Sequence, residues 1–286
     1  MILPVEELIL LALFVIIVGV AANIAGFGGG IIIVPSLSII FDLPLKIVIG
    51  TTLLSLALPA IIGFLGAWRR NEVDFTIGIA LEIPTMIGSI VGPQFATSLP
   101  TYVLQFIFGG IAVILSLLMI NHIRHAKDPV LEQEEITLFK KLTNWLFTLR
   151  PLITIEKKGY SYKIPIPVVI VAGFCIGFIS GLLGVGGGWL KNPLLILGFG
   201  LPPIIGSGTA LFMLSLTSLT GGLTHLLAGN FDLHLFIVLT LSLSGGALIG
   251  DRLKPKMDGD KISIIIVLSL LVVGVIMTLK AFGSIL

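Results

Sequence analysis

Two ionisable residues stand alone inside long apolar runs of this chain, Glu82 and Lys191. A charge at the centre of a bilayer costs at least about 2.5–3.5 kcal/mol, so such a residue is functional by default. Three roles are open to Lys191: contact with an anionic substrate, an ion pair with Glu82, or snorkelling to an interface. Glu82 is a candidate proton carrier, or the counter-charge of Lys191. His225 sits in another apolar run and offers either proton transfer at working pH or an ordinary hydrogen bond near a helix end. Asn192, next to Lys191, offers an amide donor to an oxyanion. Thr51 and Thr209 offer hydroxyls, which either reach a bound anion or bond back to their own helix.

A second kind of chemistry lies in the main chain. Gly28, Gly29 and Gly30 form one triplet, and Gly186, Gly187 and Gly188 form another. Each glycine costs a helix about 1 kcal/mol relative to alanine. Three in a row within an apolar run therefore call for a reason. Breaking the helix there frees backbone N–H groups at the positive end of the next helix, which is an anion site. The plainer alternative is close helix packing through small residues.

The elements that must position these groups come as a repeat. Residues 26–35 read GFGGGIIIVP and residues 184–193 read GVGGGWLKNP, 158 positions later. The same shift brings Pro44 onto Pro202, Gly50-Thr51 onto Gly208-Thr209, Asp74 onto Asp232 and Gly92 onto Gly250. Between Gly19 and Gly92, 23 of 74 positions are identical to their counterparts. The chain is two copies of one unit, a pattern typical of transporters.

Composition fixes the medium. Mean hydropathy is +1.14, hydrophobic residues make up 56% and charged residues only 11%. A soluble domain carries about 25% charged residues, so this chain has too little polar surface for a soluble globule. The lone Cys175 excludes an intrachain disulfide and a cysteine-based metal site. The first residues lack the basic region of a signal peptide, so the first apolar run is expected to stay as a membrane segment.

Long apolar segments fall at 8–25, 47–68, 75–99 and 102–120, and again at 166–183, 204–228, 233–250 and 262–279. Between the first and second of each set lies an 11-residue piece, 31–41 and 189–199. Such a piece is about 16 Å long as a helix, half a bilayer. The expected fold is therefore all-α and polytopic: two repeats at 1–120 and 164–286, each with a glycine-tipped helical hairpin and three spanning helices. If each hairpin returns to its starting side, the second repeat is inverted. Fourteen of the 17 Lys and Arg residues then share one side, which the positive-inside rule makes the cytoplasm, with both termini outside. The connector 121–163 is expected there too, with an amphipathic helix over 131–150 and a short hairpin over 153–164.

The doubled GxGGG stretch, each copy followed by Leu-Pro and Gly-Thr, resembles the TauE/SafE (sulfite exporter, DUF81-type) family of membrane permeases. The resemblance covers nearly all of the chain outside the connector. It implies a prokaryotic inner-membrane carrier for small sulfur anions such as sulfite, sulfoacetate or other sulfonates. Expected partners are that anion and the lipid bilayer, with a homo-oligomer open; no nucleic acid, cofactor or metal is implied. An anion channel and a membrane-embedded enzyme are the rival readings. An enzyme would need a nucleophile–base pair or a metal cluster, and of His122, His125, His225 and His234 none has a ligand partner at i+3 or i+4 within a membrane helix. An ATP-driven pump is disfavoured, since no GxxxxGK[ST] stretch occurs.

Overall fold

A computed structural model describes residues 5–41, 43–96, 100–125, 151–157 and 160–283. The described residues are helical almost throughout, as an apolar medium demands: with no water to bond to, backbone N–H and C=O groups must pair within the segment. The first repeat runs α1 (Val5–Ala25), α2 (Gly30–Ile40), α3 (Leu45–Ser55), α4 (Ala57–Arg69), α5 (Phe75–Ala96) and α6 (Thr101–His125). A hairpin of β1 (Leu152–Lys157) and β2 (Tyr160–Pro165) follows, pairing Leu152 with Pro165 and Lys157 with Tyr160. This is the hairpin expected near Lys158-Gly159. The amphipathic helix expected over 131–150 lies outside the described residues. The second repeat runs α7 (Ile166–Leu183), α8 (Gly188–Pro193) with a π-helical turn (Leu194–Gly198), α9 (Pro203–Leu227), α10 (Leu233–Leu253) and α11 (Gly259–Gly283).

Among the described residues seven helices are long and apolar enough to cross a membrane. The eighth expected segment, α6, is helical but has a shorter apolar stretch, Gln105–Asn121. Large apolar side chains cover the outside, including Ile17, Ile114, Val171 and Leu241, each at least 60% exposed. In water such a surface would aggregate; against lipid it is solvated. The buried core gathers around the hairpin tips, with Phe27, Ile31, Ile33, Leu37, Val185 and Trp189 all closed off from the surface.

The halves contact each other reciprocally. A side chain at Gly26 would strike the backbone of Ser207, and one at Gly184 would strike Ile49. Gly30 lies against Val185, and Gly188 against Phe27. Gly50 faces Asn230 and His225, while Gly208 faces Glu72 and Ala67. A shift of 158 turns each contact into its partner, which is the self-complementary pattern of a two-fold interface.

One difference between the copies is visible in the helices. Segment 45–69 breaks at Leu56, whereas its counterpart α9 runs unbroken for 25 residues. Pro59 in the first copy has no N–H to give to Ser55 four residues earlier, and the helix loses a rung there. In the second copy that position is Thr217, and the ladder continues.

Candidate functional site

Each hairpin reverses through glycines in left-handed backbone: Gly26, Gly28 and Gly29 at the first tip have φ of 75°, 83° and 84°. Gly184, Gly186 and Gly187 at the second have 69°, 79° and 68°. Side chains are disfavoured in this region, which is why glycine occupies it. The reversal is real: a Cβ at Gly29 would lie 3.1 Å from Val18 and 3.2 Å from Ala22, back along α1. The first helical bonds after the tips run from Ile32 and Ile33 N–H to the Gly29 carbonyl, and from Leu190 and Lys191 N–H to the Gly187 carbonyl. The N–H groups ahead of them fall outside the ladder.

The two tips meet. A Cβ at Gly30 would be 2.9 Å from the Val185 backbone, and one at Gly188 would be 3.0 Å from the Gly26 carbonyl oxygen. Leu56 and its counterpart Leu214 fill the space beside them, against Gly28, Gly30 and Gly186. The structure therefore brings all six triplet glycines together in a closed arrangement. Both sequence alternatives, exposed N–H groups and close packing, have a basis in this geometry.

One turn after the second tip stands a buried polar cluster. Lys191 Nζ is 2.7 Å from Glu82 Oε2 of α5 and 2.5 Å from Thr217 Oγ1 of α9. The Thr217 hydroxyl in turn donates to Glu82 Oε1. Lys191 and Thr217 are completely buried and Glu82 is 1% exposed. Of the three roles open to Lys191, the ion pair is the one seen. Its worth lies in geometry: at this depth either charge alone would be costly, and the pair with its hydroxyl bridge leaves neither exposed. No spacing in the chain singles out Thr217. Its only signal is that it replaces Pro59 in the repeat comparison.

The cluster has no charged twin. Lys191, Glu82 and Thr217 correspond to Ile33, Thr240 and Pro59. Beside Pro59 in the first half is a small crevice lined by Ala22, Asn23, Gly28, Leu211 and Leu243, among others. Asn23 is 3% exposed, and its amide makes no hydrogen bond among the described residues. An amide so placed is a site for a bridging water.

The remaining candidates are distributed elsewhere. Asn192 donates from Nδ2 to the Ala25 carbonyl at the end of α1, over 2.5 Å, so it ties the second tip helix to the first hairpin. Its Oδ1 has no partner among the described residues. Thr51 and Thr209 are engaged at the starts of other helices: the Asp232 N–H donates to Thr51 Oγ1 at 3.0 Å and the Asp74 N–H to Thr209 Oγ1 at 2.9 Å. The two aspartates themselves cap α5 and α10, accepting from Thr76 and Leu235 N–H. His225 is buried, and its Nε2 lies 2.9 Å from the Gly181 carbonyl, to which it donates. It is held inside the protein, in the last turn of α9.

A second charged cluster closes one end of the molecule. Arg70 Nη2 lies 2.8 Å from Asp251 Oδ1, and its Nε lies 2.9 Å from Glu72 Oε1. Lys254 Nζ is 3.9 Å from Glu72 Oε2. The loop after α4 and the loop after α10 thus face each other. Tyr162 of the β-hairpin adds a third element there, donating to Asp74 Oδ2 at 2.7 Å.

Comparison with known proteins agrees with the repeat motif. The family described as sulfite exporter TauE/SafE matches residues 11–277. The chain is 26% identical to the probable membrane transporter protein YunE of Bacillus subtilis, over 93% of this chain and 95% of that one. It is 27% identical to the probable membrane transporter protein YjnA of the same organism, over 94% and 97%. A probable membrane transporter protein of Methanocaldococcus jannaschii is 23% identical over 96% and 97%. No solved structure matches the chain significantly.

Proposed function

The chain belongs to the sulfite exporter TauE/SafE family of multi-pass membrane proteins, and on that premise we propose that it is a secondary carrier for a small anion in the plasma membrane of a prokaryote. The anion is of the sulfur oxyanion or organosulfonate class, sulfite and sulfoacetate being the type members. Its site is the meeting point of the tips, formed by Gly28–Gly30, Gly186–Gly188, Lys191 and Asn192. The observation that carries this reading is the junction itself: two helix starts that meet and, one turn further on, the buried Lys191 ammonium paired with Glu82. Helix starts supply partial positive charge, and discontinuous helices are how transporters present it at mid-membrane. Leu56 and Leu214 pack against the tips and would have to move aside to admit the anion.

The same reading has the second repeat inverted, with both termini outside. If each half simply crossed four times, the loop after α4 and the loop after α10 would lie on opposite sides of the membrane. A 2.8 Å contact between Arg70 and Asp251 supports the inverted arrangement instead.

The test is a thermal-shift screen of the purified protein against sulfite, sulfate, thiosulfate, sulfonates and carboxylates. The carrier reading expects stabilisation by at least one sulfur anion, with the shift rising with its concentration. Indifference to every anion in the panel would count against it.

A further inference from the structure

In this structure the negative partner of Lys191 is Glu82. Suppose an anion reached the tips with Glu82 still ionised. The cluster would then hold one positive and two negative charges, far from water. A net charge at this depth is what membrane interiors exclude. If Glu82 takes up a proton as the anion arrives, the loaded site is neutral, as the empty one is. Thr217 fits both states: its hydroxyl donates to the ionised carboxylate now, and its oxygen can accept from the protonated one.

From this cluster we propose that Glu82 and the substrate alternate as partners of Lys191, so that one proton travels on Glu82 with each monovalent anion. The inference rests on the carrier reading above and adds its coupling ion and the charge of its substrate. Three observations carry it. The carboxylate and the ammonium are in direct contact and sealed, so the pair cannot be a solvated surface bridge. The first repeat folds at the equivalent place with Ile33, Thr240 and Pro59, so the duplicated architecture does not need the charges. The surroundings also leave Glu82 as the group that can balance the charge. Among the described residues, α5 and α8 carry no other ionisable side chain, and α7 carries only the exposed Cys175. On α9 the other titratable group is His225, which lies about 12 Å further along the helix and is bonded to the Gly181 carbonyl.

The proton comes from the aqueous side to which the loaded site opens and leaves on the other side with the anion. Lys191 stays an ammonium throughout. Net charge moved per cycle is zero for a monovalent anion. A divalent anion with one proton would leave the site negative, so sulfite is carried as hydrogen sulfite and sulfoacetate only with its carboxyl protonated.

The experiment uses the intact protein in liposomes, with labelled methanesulfonate and labelled sulfite as separate probes. Methanesulfonate stays singly charged over the working pH range, so its own ionisation cannot mimic coupling. An outside-acid gradient of about one pH unit should drive its accumulation towards about tenfold, the limit for one proton per anion. An imposed membrane potential should leave uptake unchanged, and excess sulfate should not compete. Glu82→Gln should lose pH-driven accumulation entirely, whereas Glu82→Asp, which still carries a titratable carboxyl, should retain it. As a readout that needs no variant, binding of methanesulfonate to the detergent-solubilised parent protein should take up one proton per anion from a weakly buffered solution. Uptake driven by potential and indifferent to the pH gradient, competition by sulfate, or binding without proton uptake would each overturn the coupling while leaving a carrier in place. Absence of any anion flux in the parent protein would remove the carrier reading and the coupling together.

Discussion

Lys191, Glu82 and Thr217 show what a single residue can and cannot reveal before the fold is known. The lysine and the glutamate were legible, because a lone charge in an apolar run is expensive wherever the chain folds. Their pairing was one of several options, since 109 residues separate them and no helical spacing relates them. Thr217 was silent: a threonine in a membrane helix ordinarily bonds back to its own backbone, and the Met213 carbonyl lies within reach of this one at 3.1 Å as an alternative acceptor to Glu82. The residue-scale prediction follows from the closed triangle. Removing one member strands a buried charge, so Lys191→Met or Glu82→Gln alone should each destabilise the protein by about 3–5 kcal/mol. The double variant should recover most of that stability, because no charge remains. Melting of the four proteins in detergent measures this. If Lys191 only balances Glu82, the double variant also regains anion transport; the account expects it to stay inactive.

At the scale of elements, the hairpins were largely readable. Three glycines, an 11-residue and mostly apolar piece, and then Leu-Pro mark a half-length helix, and α2 and the α8 segment with its π-helical turn are those helices. The break at Leu56 was not anticipated, although Pro59 was present to cause it. The threonine pair shows a structural role that symmetry alone does not separate from substrate binding. Symmetry made Thr51 and Thr209 look like substrate donors, but symmetry equally preserves structural contacts, and both accept from an aspartate N–H at the start of a helix in the other half. The element-scale prediction concerns the tips. Gly29 and Gly187 have φ of 84° and 68°, and a side chain at either would press on Val18 and Ala22 or on Ser180 and Ile176. Gly29→Leu and Gly187→Leu should abolish transport while folded protein still reaches the membrane. Detergent size-exclusion profiles read the folding and isotope flux reads the function. Normal flux in both variants would reduce the tips to packing elements.

At the scale of the whole molecule, the repeat was the strongest feature of the sequence, and the reciprocal contacts between halves follow it residue for residue. How the halves sit in a bilayer rested on charge placement, which sees only the sum over loops. The ionic cluster of Arg70, Glu72, Asp251 and Lys254 supplies a local reason: both loops must reach the same side to make it. Single cysteines at Asn71, Lys256 and Ala228, each exposed and placed in a Cys175→Ser background, test the arrangement in cells. Membrane-impermeant reagent added outside should label Ala228→Cys and spare the other two until the membrane is opened. Labelling of Asn71→Cys and Lys256→Cys from opposite sides would refute the inverted arrangement.

The central claim is that the joined tips work as an alternating carrier rather than as a pore, and counterflow addresses it directly. Liposomes holding the purified protein are loaded with unlabelled sulfonate or sulfite, then diluted into a trace of the same labelled anion. A carrier exchanges one for the other, so label should accumulate transiently above its outside concentration, saturate with substrate and vanish in Lys191→Gln. Label that only equilibrates, at a rate proportional to concentration and unaffected by the anion inside, would contradict the account.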